Sequence, residues 1–289
     1  MNLWERFLRI IYRGAAKPFL KKYSKKSLES VLRKSVLLLD DSIIAEIKAN
    51  VLKSINDDGG FKDRGGKSDL YYSLFGLFIA ETLSLEEVFP KIKGFVNSKI
   101  NDSSLSGINL HCAAILYAKL AGRDAISEKL REKIYAEFKK SEKTDYSIFI
   151  STLSFYYLQD FATLLKLVKS SKYNFKGESP STVVGAMAVL NRIGLKSTKG
   201  FEAELFSYYR GKGGFVALQK SPIEDLLSTA VALYSLRFID AEVANIKPDC
   251  LNFVDNLYLN GGFCATEMDF DIDVEYTFYG LLALGALAK

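Results

Sequence analysis

Asp58-Gly59-Gly60-Phe61, followed by Asp69 and Ser73, decides the fold, because the sequence writes this pattern three times. It returns as Gly213-Gly214-Phe215 with Asp225 and Thr229, and as Gly261-Gly262-Phe263 with Asp273 and Thr277. Each Phe precedes its Asp by eight to ten residues, each Asp precedes its hydroxyl residue by four, and an apolar run follows. Paired glycines permit a tight turn with positive φ. The Phe can pin that turn against neighbouring helices. The Asp suits a helix N-cap, where its carboxylate accepts bonds from free amides, and the Ser or Thr falls one turn inside on the same face.

Between the first two strong copies the same phase returns near Ser106, Asp145 and Ser181. An apolar helix is expected at each position, as over 70–83, 146–158 and 274–288. A more charged amphipathic helix precedes it, as over 42–55, 125–140 and 248–259. Strand signals are scarce. The expectation is an all-α chain of six helical-hairpin repeats spaced by 36 to 48 residues, read off the phase positions. Six inner and six outer helices suit a closed (α/α)6 toroid, with an open solenoid as the alternative. The toroid would take residues 41–289 as one domain, after a basic helical segment over 1–40.

The chain has 289 residues, 48% of them apolar and 25% charged, which excludes a disordered or fibrous protein. Its net charge of +5 is uneven. Residues 1–34 hold ten basic and two acidic side chains, so the remainder is mildly acidic and nucleic acid is not an expected partner. Within that segment Leu3, Phe7, Ile10 and Ile11 recur at helical spacing among Arg6, Arg9 and Arg13. Such a helix packs on the body with a solvated basic face, or lies on an anionic membrane surface. No run reaches the roughly 18 apolar residues of a membrane span. Glu5, Arg6 and Arg9 interrupt the apolar core a signal peptide needs. A cytoplasmic protein, peripheral at the membrane if the basic segment binds there, is the expectation. His111 is the single histidine, so a Ser-His-Asp triad must run through it. Three cysteines without a close pair suggest neither a disulfide scaffold nor a zinc finger.

Asp-Gly-Gly-Phe (58–61) leading into Ser-Asp-Leu-Tyr-Tyr-Ser (68–73) resembles the repeat of protein prenyltransferase β subunits and of squalene and terpene cyclases. So does Gly-Gly-Phe (261–263) leading into Asp-Val-Glu-Tyr-Thr-Phe-Tyr-Gly-Leu-Leu-Ala-Leu (273–284). The resemblance covers most of residues 40–289. It implies an isoprenoid or similar lipid chain as ligand, held in an aromatic central cavity. It also implies a helical protein partner of the kind that prenyltransferase β chains take, which the basic residues 1–34 could dock. The zinc ligands of the prenyltransferases are not matched. A Cys is expected two residues after Asp225 and a His three after Asp273, and Leu227 and Tyr276 stand there. The residues before Asp225 that would hold a diphosphate are Gln219 and Pro222. An ordinary zinc protein prenyltransferase is therefore excluded. No cofactor is expected, except magnesium with a diphosphate substrate.

Cyclases that start by protonation carry Asp-x-Asp-Asp-Thr at this phase. On Asp273-Val274-Glu275-Tyr276-Thr277 the acid falls on Glu275, with Tyr276 in place of the second Asp. Asp271, Asp273 and Glu275 are thus the candidate acid centre, since clustered, desolvated carboxyls hold a proton on one member. If 269–273 is extended, alternate side chains share a face. The alternatives are an N-cap for Asp273 and solvated turns for Asp269 and Asp271. Tyr72, Tyr234, Tyr276 and Tyr279, with Tyr71, Phe75, Phe149 and Tyr156, could line a cavity whose π faces steady a cation, or could be core packing. Asp69, Asp225 and His111 complete the candidate cavity residues. His111 either faces the cavity or sits satisfied among helices. Two further readings stand beside the enzyme: a non-catalytic toroid that binds lipid or a protein partner, and a carbohydrate-active (α/α)6 enzyme with opposed carboxyls.

Overall fold

The computed structural model describes residues 21–140, 145–170 and 179–288, together with Gly14, Tyr173 and Phe175; the side chains of 145–149 and 168–170 are excepted. The expected basic amphipathic helix over residues 3–13 and the side chain of Phe149 lie outside them. Helix accounts for 64% of the structure, and strand is confined to two-residue ladders.

After a 3-10 turn at Ser24–Lys26 comes a short helix α1 (Leu28–Ser35), followed by α2 (Asp41–Lys53). The hairpin β1 (Phe61–Lys62) and β2 (Ser68–Asp69) leads into α3 (Leu70–Thr82). Then come α4 (Phe89–Ile100), α5 (Gly107–Ala121), α6 (Glu128–Lys140), α7 (Asp145–Tyr157), α8 (Phe161–Ser170) and α9 (Ser181–Ile193). Helix α10 (Phe201–Phe206) precedes a second hairpin, β3 (Phe215–Val216) with β4 (Glu224–Asp225), and α11 (Leu226–Phe238). Helix α12 (Lys247–Asn256) precedes a third, β5 (Tyr258–Leu259) with β6 (Gly262–Phe263), and α13 (Val274–Leu287). All three hairpins are antiparallel.

Helices α3, α5, α7, α9, α11 and α13 are the apolar ones, and their starts lie within one residue of the expected phase positions. Gly122, with φ +85°, ends α5 in a conformation that L side chains avoid. Helices α4 and α12 both open with a proline in the first turn, where a missing amide costs nothing.

The chain divides into two units, one of residues 1–24, 55–77 and 86–170, the other of residues 25–54, 78–85 and 171–289. In the first, α5 packs between α4 and α7, and Leu110 to Leu116 are all buried. In the second, α11 lies between α9 and α13, and α13 also packs on α1. Helix α13 is buried at every residue from Thr277 to Leu287, as the apolar run after Thr277 requires. Gly285 lets α1 approach so closely that a Cβ there would collide with the Val31 carbonyl. Val31 and Leu32 are fully buried in return, each stabilising the fold by about 1.5–3 kcal/mol.

Helices α11 and α13 run parallel. The first amide of α11, Leu226, donates to the Ala265 carbonyl in the loop entering α13 (2.9 Å). At the other ends the Arg237 guanidinium donates to the carbonyls of Ala286 and Ala288. There Lys26 donates to the Phe238 carbonyl and pairs with Asp240, which also binds Arg192. Part of the basic segment is thereby folded onto its own chain. Among the described residues no helix is long and apolar enough to cross a membrane.

Candidate functional site

The repeated motif builds the junction between each hairpin and its apolar helix. Gly59, Gly213 and Gly261 have φ of +87°, +104° and +85°, the region glycine enters without penalty. A Cβ on any of them would also strike a backbone carbonyl. For Gly59 it is Lys91 in α4 and for Gly213 it is Asp249 in α12, each in the charged helix that follows. For Gly261 it is Glu46 in α2, the first charged helix of the chain. Tyr258 donates to the same Glu46 through its hydroxyl (2.6 Å).

The hydroxyl residue closes the junction as a clasp. Ser73 Oγ donates to the Asp69 carbonyl (2.6 Å) while accepting the Phe61 amide (2.9 Å). Thr229 does the same between Asp225 (2.8 Å) and Phe215 (2.9 Å). Thr277 donates to the Asp273 carbonyl (2.6 Å), and Phe263 pairs with Asp273 across an antiparallel bridge. The pinned rings need space one turn further on. Gly76 and Gly280 supply it, since a Cβ on either would lie 2.5 Å from the ring of Phe61 or Phe263. Position 232 of the middle copy holds a buried alanine.

The three aspartates are helix caps. Asp69 accepts the amides of Tyr71 (2.7 Å) and Tyr72 (3.0 Å), Asp225 that of Ser228 (2.7 Å), and Asp273 that of Tyr276 (2.8 Å). Burial holds the Asp225 carboxyl above the ordinary carboxylate range, against the Ser228 amide and hydroxyl, which favour the anion. The expected acid centre is spread over three settings. Asp273 is buried, Glu275 is half-buried in the first turn of α13, and Asp271 is exposed in the loop before it. In that loop the Asp271 amide donates to Asp269 Oδ1 (3.0 Å), the Asp269 amide donates to the Thr266 carbonyl (3.1 Å), and Asp273 itself is extended.

The tyrosines divide. Tyr72 and Tyr276 stand three residues after their capping aspartates and are half-buried, beside Tyr71 and Tyr279 at 5.8 and 6.3 Å between ring centres. Tyr279 is buried against Phe278. Tyr234 is turned toward the start of the chain, where its hydroxyl donates to the Lys26 carbonyl (3.0 Å). His111 is buried between α5 and α7, its Nε2 3.4 Å from Ser151 Oγ, and its Nδ1 has no partner. Burial lowers its pKa to about 4, against the opposing pull of Glu137, so the ring is neutral at pH 7.

A cleft of 340 Å³ in the first unit, bordered by Asn97, Asn101, Tyr117 and Ser127, contains none of these residues. Among the described residues no group of three or more His, Cys, Asp or Glu side chains is placed to hold a metal ion. The clasp hydroxyls and the receiving glycines are the structural residues that the sequence pattern did not assign. Their signal was present as Ser or Thr four residues, and Gly seven residues, after an Asp of the repeat. No protein-family model matches the chain, and no curated protein matches it.

Proposed function

We propose that the chain is an α/α toroid of the prenyltransferase and terpene cyclase type that binds an isoprenoid or similar lipid chain among the aromatic side chains of its apolar helices. The observation carrying this reading is the shared placement of Tyr72 and Tyr276. Each is half-buried, three residues after a capping aspartate, on a helix whose Ser or Thr donates back to that aspartate's carbonyl. Ring closure is supported by Gly261, which backs onto α2 as Gly59 and Gly213 back onto the charged helices that follow them. The last turn thus meets the first charged helix where a seventh would stand.

Acid-initiated cyclisation is the second reading. It is favoured by Glu275, a half-buried carboxyl next to the cap rather than in it. In that reaction the Glu275 carboxyl gives its proton to an alkene carbon, and the product cation returns a proton to a base. The capping roles of Asp69, Asp225 and Asp273 favour binding without chemistry.

The test is incubation of the protein with squalene and with geranyl, farnesyl and geranylgeranyl diphosphates, with and without magnesium, followed by mass spectrometry. Native mass spectrometry would record retained lipid. Retention of a chain that weakens in Tyr72→Ala and Tyr276→Ala supports the binding reading. A new isomer lost in Glu275→Gln adds catalysis. Absence of both retention and turnover across the panel would reject the lipid reading.

A further inference from the structure

The loops that enter α11 and α13 turn large apolar side chains to solvent. Met268 and Phe270 are 75% and 77% exposed, and Leu218 and Ile223 are also exposed. Side chains of this size rarely stand together on a monomer's surface without a partner. The two loops are neighbours, because the bond from Leu226 to Ala265 ties the second to the first residue of the helix that the first enters. Each loop carries a local brace. Val216 and Glu224 pair across the base of one, and in the other the Met268 amide donates to Thr266 Oγ1 (3.3 Å). The apolar groups alternate with acids in Glu267-Met268-Asp269-Phe270-Asp271, and Glu224 follows Ile223. Lys220 is the single opposing charge in the two loop sequences, and the Arg210 guanidinium donates to the Gln219 carbonyl of the first loop, so the acidic side is the second loop.

We infer that these two loops form a docking surface for a basic amphipathic helix of another protein. Charge decides the class of occupant. An acid-rimmed patch repels an anionic membrane and favours apolar anchors flanked by Lys and Arg. Spacing decides the form. Packed helices such as α11 and α13 stand about 8–10 Å apart. Residues i and i+7 of a helix are about 10.5 Å apart along its axis, a span that matches this spacing. This surface does not depend on what the proposed cavity holds.

The probe is a fluorescent 18-residue synthetic helix with Leu and Phe on one face and Lys and Arg on the rest, titrated with the full chain by anisotropy. Binding should weaken with salt. It should be at least about tenfold weaker for the same helix with Glu replacing Lys and Arg, and for the protein variant Met268→Ser/Phe270→Ser. A second variant, Glu267→Gln/Asp271→Asn, leaves the apolar groups in place and should lose affinity and salt dependence together. Unchanged circular dichroism of both variants keeps misfolding apart from loss of the surface. No binding, equal binding of the acidic helix, or equal binding by the variants overturns the inference. So does Phe270-dependent binding to phosphatidylcholine vesicles without binding to the helix, which would assign the patch to a lipid surface.

Discussion

The hydroxyl of Thr229 joins the amide of Phe215 to the carbonyl of Asp225, so one side chain ties a hairpin to the helix it introduces. Ser73 repeats the arrangement with Phe61 and Asp69. Thr229→Val keeps the shape but leaves the buried Phe215 amide without an acceptor. It should lower the unfolding free energy by about 1–3 kcal/mol in urea, with Thr229→Ser close to the parent.

Glycine in the turn serves two needs that substitution can separate. Gly66 has φ +79° with open space around the Cβ position, whereas Gly213 combines φ +104° with the Asp249 carbonyl. Gly66→Ala should cost about 1–2 kcal/mol from backbone strain alone. Gly213→Ala should cost more, by about 1–3 kcal/mol for the forced shift of α12. Equal melting temperatures for the two variants would reject the steric half of this account.

The Asp225 carboxyl is raised by burial, and the sign of its pH effect follows. A group whose folded pKa lies above its unfolded one contributes stability below the unfolded value, lost as pH rises through the folded value. Asn keeps the cap and carries no charge to bury. Asp225→Asn should therefore be at least as stable as the parent at pH 7, with its advantage shrinking toward pH 3. Asp225→Ala should fall about 1 kcal/mol below Asp225→Asn at pH 7. Urea titrations at the two pH values check both.

His111 behaves in the opposite sense. Its folded pKa of about 4 lies below the ordinary 6.5, so its stabilising balance is intact above pH 6.5 and is lost as pH falls toward 4. The loss at pH 4 amounts to about 3 kcal/mol. Because the chain has one histidine, a single imidazole resonance should titrate near pH 4 by NMR. His111→Asn should flatten the stability profile between pH 4 and 6.5.

The helix starts were legible because they are local chemistry. Paired glycines and a following Asp mark the beginnings of α3, α11 and α13 in the sequence itself. What an exposed-looking polar atom meets across the fold was not legible. Thr229 reads as a helix residue until Phe215 lies beside it, and nothing in the sequence pairs the Tyr234 hydroxyl with the carbonyl of Lys26, 208 positions earlier. The carboxyls of Asp271, Asp273 and Glu275 alternate in sequence. Their burial does not follow from that alternation: Asp273 is buried, Glu275 half-buried and Asp271 exposed.

The contact of Gly261 with Glu46, and of α13 with α1, sets an order of events during synthesis. Helices α1 and α2 leave the ribosome long before the segments that cover them are made. Val31 and Leu32 must wait uncovered until α13 emerges, roughly ten seconds or more later at ordinary elongation rates. Non-local pairings of this kind are slow to form and leave apolar surface unprotected meanwhile. A chain stopped short of Val274 has no helix to place on Val31 and Leu32, so truncation at the far end would reveal itself at the near one, as protease cleavage within residues 28–53.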